Sequence, residues 1–302
     1  MGLLVHDNAV LGHLAVATIG SRAPYEEIGI VMTRIAAKQL PQKYRDVIEE
    51  QVAIFARHRT IEKINKIPDT ADIPIEDPSK WLRIPDVICV YVDMLGSTRL
   101  SAVTHDRETA GAYQLFTGCA VKLFAEFEAP YIDVRGDGAF ALFDSDQQYR
   151  SLATAVSFKT FAHLDFVPLI REATGIDVGS HIGIDCSTVL VRKLGFKRYR
   201  GRSDRQNEVW AGKPVSMAAK LASKTADGEL LVSDRFFERI THDLAQLSCG
   251  CSGGIPIGKK VKLWEELDVS NEGIFDFGKA FKLRSYWCET HGAEYCSALL
   301  AL

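Results

Sequence analysis

The sequence lacks any long apolar run. No stretch of 18 residues is free of charged side chains, so no membrane-spanning helix is predicted. The mildly apolar N-terminal segment NAVLGHLAVATIG has no Lys or Arg before it, which argues against an export signal. Seven cysteines are an odd number for a disulfide framework, and Cys89, Cys119 and Cys186 stand singly. These absences together predict a protein of the reducing cytoplasm.

The sequence also lacks an excess of either charge, because 36 Lys and Arg residues face 39 Asp and Glu residues for a net charge of −3. A chain this close to neutral has no general attraction for nucleic acid or for an anionic membrane, and we expect neither as a partner. What it does have is 47% hydrophobic residues over 302 positions, which is enough for a substantial core.

Three parts follow one another along the chain. Apolar residues near helical spacing between Tyr44 and Ile61 predict a helix, and the Pro- and Asp-rich segment PDTADIPIEDPS after it predicts a surface linker. We therefore divide the chain into a helical N-terminal extension with its linker (residues 1–80), a core domain (81–247) and a C-terminal extension (248–302).

The core domain shows alternating strand and helix patterns. DVICVYVD is nearly continuous in apolar residues and predicts a central strand covered on both faces. Aromatic and apolar residues from Tyr113 to Phe127 recur at helical spacing, and YIDVRGDGAFALF predicts a hairpin around its Gly-Asp-Gly turn. A helix at about 146–170 and the strand DVGSHIGID follow, then a helix in GKPVSMAAKLASK, the strand ELLVS and a helix from about Asp234. The order β-α-β-β-α-β predicts an α+β fold with a ferredoxin-like, palm-type layer.

Two aspartates stand at the ends of predicted strands. Asp93 follows an apolar strand and precedes a Gly-Ser-Thr turn, where an Asp is most often the N-cap of the next helix. Asp137 lies between Gly136 and Gly138 at the hairpin tip, where turn chemistry alone could explain it. In the predicted topology both positions meet at the centre of the sheet. Two carboxylates there, beside N–H groups that open a helix, predict a site for metal-bound polyphosphate.

Four segments in this order and at these separations resemble the motif blocks of the class III nucleotide cyclases, and most closely the Pycsar pyrimidine cyclases of bacterial antiphage defence. The segments are VYVDMLGSTRL, YIDVRGDGAFALF, HIGIDCSTVLVRKLG and EVWAGKPVSMAAKLA. They span about residues 85–240, so the resemblance identifies the core domain as a cyclase catalytic domain.

The resemblance implies two divalent cations, Mg²⁺ or Mn²⁺, held by Asp93 and Asp137 with the backbone carbonyl of Met94 as a further ligand. It also implies that backbone N–H groups bind the β- and γ-phosphates; these belong to Leu95, Gly96, Ser97 and Thr98. A cyclase site of this family is completed across a homodimer, with metals on one protomer and the last-block helix on the other. We therefore expect a two-fold dimer.

The last block departs from the purine-cyclising pattern. An Asn and an Arg, four residues apart, stabilise the transition state in those relatives, and the matching positions here are Ser216 and Lys220. The Ser side chain is shorter than that of Asn, and the Lys ammonium is a point charge that lacks the paired N–H donors of an Arg guanidinium. Either side chain could equally be a solvated surface group. The basic segment VRKLGFKRYRGRSDRQ offers Arg198, Arg200 and Arg202 instead, unless that segment is a solvated loop or the rim of an interface.

The residues that select the base also depart from the purine pattern. The Lys and Asp that recognise the purine in adenylyl cyclases correspond here to Asp133 and Val209. Asp133 could accept a hydrogen bond from uracil N3–H or the cytosine amino group, or it could merely pair with Arg135. Arg135 could donate to uracil O4, and Tyr91 could pack on a ring or narrow the pocket. These positions favour a pyrimidine, and among pyrimidines UTP.

The sequence therefore predicts a homodimeric uridylate cyclase that forms 3′,5′-cyclic UMP and pyrophosphate. In the Pycsar setting the product would be a second messenger for a separate effector protein. The alternatives are, in order, a cytidylate cyclase, an adenylyl or guanylyl cyclase, and a non-catalytic nucleotide sensor with a cyclase fold.

Thiols are grouped only near the C-terminus. Five possible zinc donors lie there: Cys249, Cys251, Cys288, His291 and Cys296. Their spacing fits no standard zinc finger, so we interpret them as ordinary thiols and predict no metal. His181, on the bare face of its predicted strand, is likewise interpreted as structural.

Overall fold

A computed structural model describes residues 40–202, 205–251 and 258–302, which fall into two units divided between Arg59 and Thr60. In the first unit, helix α1 (Gln42–Ala56) has no buried residue, and the rest of the predicted N-terminal extension, residues 1–39, lies outside the described residues. Within the described ranges, no helix combines the length and apolarity needed to cross a membrane.

The second unit is built on one mixed sheet. Its strands are β1 (Thr60–Lys63), β2 (Lys80–Leu95), β3 (Tyr131–Arg135), β4 (Gly138–Phe143), β5 (Gly179–Phe196), β6 (Arg205–Gly212), β7 (Leu230–Ser233), β8 (Trp264–Asp268) and β9 (Lys279–Leu283). The spatial order is β3-β4-β2-β5-β7-β9-β8, while β1 pairs with β2 and β6 with β5. Strands β8 and β9 show that the sheet continues into residues 248–302.

The helices connect these strands in the predicted order. They are α2 (Ser97–Val103), α3 (Asp106–Glu126), α4 (Gln148–Phe161), α5 (Val167–Thr174), α6 (Lys213–Ala222), the single turns α7 (Asp234–Phe237) and α8 (Asp243–Gln246), and α9 (Gly292–Leu300). The β-α-β-β-α-β core of β2, α3, β3, β4, α4 and β5 confirms the predicted fold class. The helix predicted at about 146–170 contains a π-turn at Ala162–Phe166, two residues before Pro168, whose ring nitrogen cannot donate a helical hydrogen bond.

One face of the sheet is covered by α3 and α4. Phe116, Phe124 and Phe158 are fully buried there against the β2 residues Val90 and Val92. Phe116 meets Phe158 edge-on with ring centroids 5.0 Å apart, a favourable aromatic geometry. The aromatic residues of the helix predicted from Tyr113 to Phe127 therefore belong to the hydrophobic core.

The other face is covered by α6 and the segment between β1 and β2, and Trp210 of β6 packs in the same apolar cluster. Residues 68–79 of that segment were predicted to be a linker running over the surface. Most of them do lie at the surface, but the segment also packs on the sheet. Ile67 and Ile73 are buried at 8% and 2% exposure, and Lys193 N–H donates to Pro74 O at 2.9 Å. We call residues 64–79 the strap. Its Asp residues are exposed, but the apolar area of Ile64, Ile67 and Ile73 packs on the sheet.

Candidate active site

Asp93 lies near the end of the central strand β2. Its neighbours in the sheet are Gly138 of β4 and His181 of β5. Helix α2 begins only at Ser97, and its N-cap is Gly96, with φ +86° and no side-chain cap. Asp93 is therefore not the cap of that helix, and its half-buried carboxylate needs another explanation.

Asp137 lies in the two-residue turn between β3 and β4, where Arg135 pairs with Gly138. Gly136 takes φ +68°, so the Gly-Asp-Gly hairpin forms as predicted. The turn brings Asp137 close to Asp93. Burial raises the pKa of Asp93 to about 6, and the charge of Asp137 adds to the shift.

Gly138 leaves room for the Asp93 carboxylate. A Cβ atom at this position would lie 2.5 Å from Asp93 Oδ1 and 3.1 Å from Tyr91 Oη. Tyr91 lies two residues before Asp93, on the same face of β2. Burial, and to a lesser extent the negative charges of Asp93 and Asp137, raise the pKa of Tyr91 to about 12. Its phenol therefore stays protonated at neutral pH.

This donor set fits a divalent cation. Carboxylate oxygens are the ligands that Mg²⁺ and Mn²⁺ prefer, and a cation between Asp93 and Asp137 would relieve their mutual repulsion. Asp93 and Asp137 could hold the metal together with the carbonyl of Met94, whose side chain is buried at 2% exposure.

The turn after β2 could bind phosphate oxygens. It runs from Leu95, the last residue of β2, through Gly96 to Ser97 and Thr98, the first residues of α2. The added Cβ of any other residue at Gly96 would lie 3.0 Å from Asp177 O. The first bond of α2 runs from Leu100 N–H to Gly96 O, at 2.9 Å. The N–H groups of Ser97 and Thr98 therefore have no acceptor within the helix.

A cleft of about 280 Å³ lies on the same face of the sheet as Tyr91. It is lined by Tyr91, Arg135, Phe140, Glu208, Val209, Trp210 and Val215. Arg135 pairs with Asp133 at 2.5 Å, which is the alternative foreseen for Asp133, and Asp133 does not line the cleft. The second charged residue of the cleft is Glu208, which approaches Lys193 at 3.8 Å.

Sequence reasoning named position 209 but assigned no role to Glu208, Phe140 or Val215. Phe140 and Val215 look like ordinary core residues in the sequence. Strand alternation in β6 groups Glu208 with Trp210. Only the register of β5 with β6, in which Lys193 pairs with Glu208, places these residues at the cleft.

The proposed transition-state residues lie elsewhere in this chain. Ser216 is exposed on α6, and Lys220 Nζ donates to Ile274 O at 2.8 Å. Arg198 and Arg200 are exposed in the arm between β5 and β6, where Arg200 lies 5.1 Å from the Tyr199 ring. Among the described residues, no hydrogen bond or ion pair joins these four to Asp93 or Asp137.

The fold is that of the class III nucleotide cyclases. The guanylyl cyclase Cya2 superposes with a TM-score of 0.51 at 18% identity, over 67% of this chain and 92% of its own. No protein-family model matches the chain.

Two proteins named uridylate cyclase are similar in sequence. The one from Micromonospora echinofusca is 33% identical over 237 residues, covering 77% of this chain and 74% of its own. The one from Propioniciclava tarda is 33% identical over 235 residues, covering 76% and 73%. The chain therefore belongs to this family of nucleotide cyclases.

Proposed function

We propose that this enzyme converts UTP to 3′,5′-cyclic UMP and pyrophosphate. The observation that carries the proposal is that the charges of Asp93 and Asp137 act on each other beside a largely apolar cleft that contains two charged side chains, Arg135 and Glu208. The names of the two relatives support the choice of UTP.

The reaction is intramolecular. The ribose 3′-oxygen attacks the α-phosphorus, the bond from that phosphorus to the bridging oxygen breaks, and pyrophosphate leaves in line. When bound, two divalent cations supply a lowered pKa for the 3′-hydroxyl and neutralise the triphosphate charge. Asp93 and Asp137 bind them, with the Met94 carbonyl. The N–H groups from Leu95 to Thr98 bind the β- and γ-phosphates, so positioning and charge neutralisation suffice without a covalent intermediate.

The cleft recognises the base. The guanidinium of Arg135, oriented by Asp133, donates to uracil O4, whereas cytosine presents an amino group there. The Glu208 carboxylate accepts from uracil N3–H, and Tyr91 limits the depth of the cleft. A purine is larger than a pyrimidine, and adenine presents a ring acceptor, N1, where Glu208 needs a donor.

A homodimer completes the site. Ser216 and Lys220, or Arg198 and Arg200 of the arm, stabilise the transition state from the second protomer, because they lie apart from the aspartates of their own chain. In this proposal cyclic UMP serves antiphage defence as a second messenger, and a separate effector protein responds to it.

The test is competition among UTP, CTP, ATP and GTP at equal concentration with Mn²⁺, with the cyclic products identified by mass. Cyclic UMP should dominate. Predominant cyclic CMP would refute the choice of uracil, and predominant cyclic AMP or GMP the choice of a pyrimidine.

Asp93→Asn serves as the matched control, because it keeps the side-chain shape and removes the negative charge. It should fold and form no cyclic product. Nucleotide binding without any turnover by the unchanged protein would instead favour a sensor.

A further inference from the structure

Four potential metal ligands converge near the C-terminus, on segments that the cyclase site does not use. The ligand atoms of Cys249, Cys251, Cys288 and His291 all lie within 4.8 Å of one another. Cys251 Sγ and His291 Nδ1 are 3.0 Å apart, although they are forty residues apart in the chain. The fifth sequence candidate, Cys296, does not belong to the group. The fold therefore brings together two pairs of potential ligands whose spacing in the sequence fits no standard zinc finger.

The distances suit a tetrahedral zinc ion. Zn–S bonds of about 2.3 Å and Zn–N bonds of about 2.0 Å give ligand-to-ligand separations of roughly 3.3–3.8 Å in a tetrahedron. Four atoms within 4.8 Å reach this geometry by side-chain shifts smaller than about 1 Å. Three sulfurs and one imidazole are also the soft and borderline donors that bind zinc rather than Mg²⁺ or Mn²⁺.

The backbone around Cys249 and Cys251 forms a tight turn that brings their two sulfur atoms together. Between Cys249 and Cys251, Gly250 takes φ +83°, a conformation that other residues rarely adopt. Gly258 N–H donates to Gly250 O at 3.0 Å, and a Cβ at Gly250 would lie 3.2 Å from Gly258 Cα. Cys251 N–H points at Cys249 Sγ at 3.5 Å.

The second pair lies in a tight turn that leads into α9. Gly292 N–H donates to Cys288 O at 2.7 Å. This turn brings Cys288 and His291, three residues apart in the chain, to the same group of ligand atoms.

The segment that carries Cys249 and Cys251 has little core of its own. Among the described residues from 247 to 263, only Gly250 is buried, and the regular pairing is a single bridge between Leu247 and Lys262. A four-ligand metal site supplies the crosslink that such a segment needs to hold a fixed structure.

We propose that Cys249, Cys251, Cys288 and His291 bind one structural Zn²⁺ ion that crosslinks residues 249–251 to the turn before α9. With four protein ligands the ion has no open position, so its role is structural and separate from nucleotide cyclisation.

The experiment measures zinc in the full-length protein after purification and dialysis against metal-free buffer. One zinc per chain is expected. Cys251→Ser and Cys288→Ser should each reduce the zinc content to background. The matched controls Cys296→Ser and Cys119→Ser should keep one zinc per chain. Asp93→Asn should also keep it, so that a failure of the proposed nucleotide site and of the zinc site can be told apart.

A second measurement covers ligand variants that fail to fold. Titrating the thiols of the unchanged protein with an organomercurial should release zinc in step with the cysteines modified. Replacement of zinc by Co²⁺ should give a sulfur-to-cobalt charge-transfer band and the visible absorption of tetrahedral cobalt. Absence of zinc, a disulfide among these cysteines, or zinc retained in Cys251→Ser and Cys288→Ser would each overturn the proposal.

Discussion

At the scale of single residues, the position of one carboxylate depends on the absence of one methyl group. The φ angle of Gly138 is outside the left-handed region, so its backbone could accept alanine. The added Cβ, however, would lie 2.5 Å from Asp93 Oδ1 and must displace it.

Gly138→Ala should therefore fold and lose cyclase activity by on the order of 10²-fold, since displacements of about 1 Å have effects of that size. Product formation should be measured over a range of Mn²⁺ concentrations. Gly111→Ala is the control, because nothing lies within 4 Å of its new Cβ. Full activity of Gly138→Ala would contradict the assigned position of the Asp93 side chain.

The two aspartates could be predicted from the sequence because strand-end and hairpin patterns are local. The cleft beside them could not. Glu208 reaches it only through the pairing of β5 with β6, and Phe140 only because β4 pairs with β2. These are long-range registers, which local periodicity does not determine. The four donors around Cys251 illustrate the same limit, since their two halves meet only after the chain has folded.

At the scale of elements, α6 packs unusually close to the sheet at Gly183. A Cβ there would lie 2.1 Å from Ala218 O and 2.6 Å from Ala222 N, both backbone atoms of α6. The face of β5 that carries Gly183 and almost no large side chains is therefore the surface on which α6 packs.

Gly183→Ala should lower the free energy of unfolding by about 1–3 kcal/mol, the usual range for overpacking. Urea denaturation measures the change. Gly111→Ala, in the middle of α3, should instead raise the free energy of unfolding by about 0.5–1 kcal/mol. Equal stability of Gly183→Ala and the unchanged protein would show that α6 can move away from the sheet at no cost.

Helix α4 contains a buried lysine that gives the fold a pH dependence. Lys159 is 1% exposed, its Nζ donates to Ser285 O at 2.8 Å, and it lies 3.9 Å from the centroid of the Tyr286 ring. Burial lowers its pKa from 10.5 to about 7, although Glu229 and Asp227 act in the opposite direction. Between these two values the unfolded chain holds a proton that the folded chain does not.

The free energy of unfolding should therefore rise with pH from about 7 to 10, with this residue contributing up to about 1.4 kcal/mol per pH unit. Urea denaturation at several pH values should show that Lys159→Met removes this contribution, while the exposed-residue variant Lys122→Met retains it. The same slope in Lys159→Met and in the unchanged protein would assign the pH dependence to another group.

At the scale of the whole molecule, the proposed site draws on two protomers. A mixture of Asp137→Ala with Lys220→Ala should then contain heterodimers with one intact site. Each variant alone should be inactive or strongly impaired, and the mixture should recover up to about a quarter of full activity if subunits exchange at random and Lys220 acts from the opposite protomer. Subunit exchange should be followed with two differently tagged chains. Proven exchange without recovery would mean that Lys220 does not act across the interface.

The strap sets the limits within which this protein can be shortened. A chain started at Trp81, where the strand pattern of the core first becomes visible in the sequence, would lose β1 and the strap together. It would expose the sheet residues that Ile67 and Ile73 cover, and it would leave Arg192 without the carbonyls of Pro78 and Ile75 that accept from its guanidinium. Such a chain should aggregate on expression, whereas one started at Thr60 should remain monodisperse in gel filtration. The smallest autonomous enzyme is thus longer at its N-terminal side than its motifs suggest.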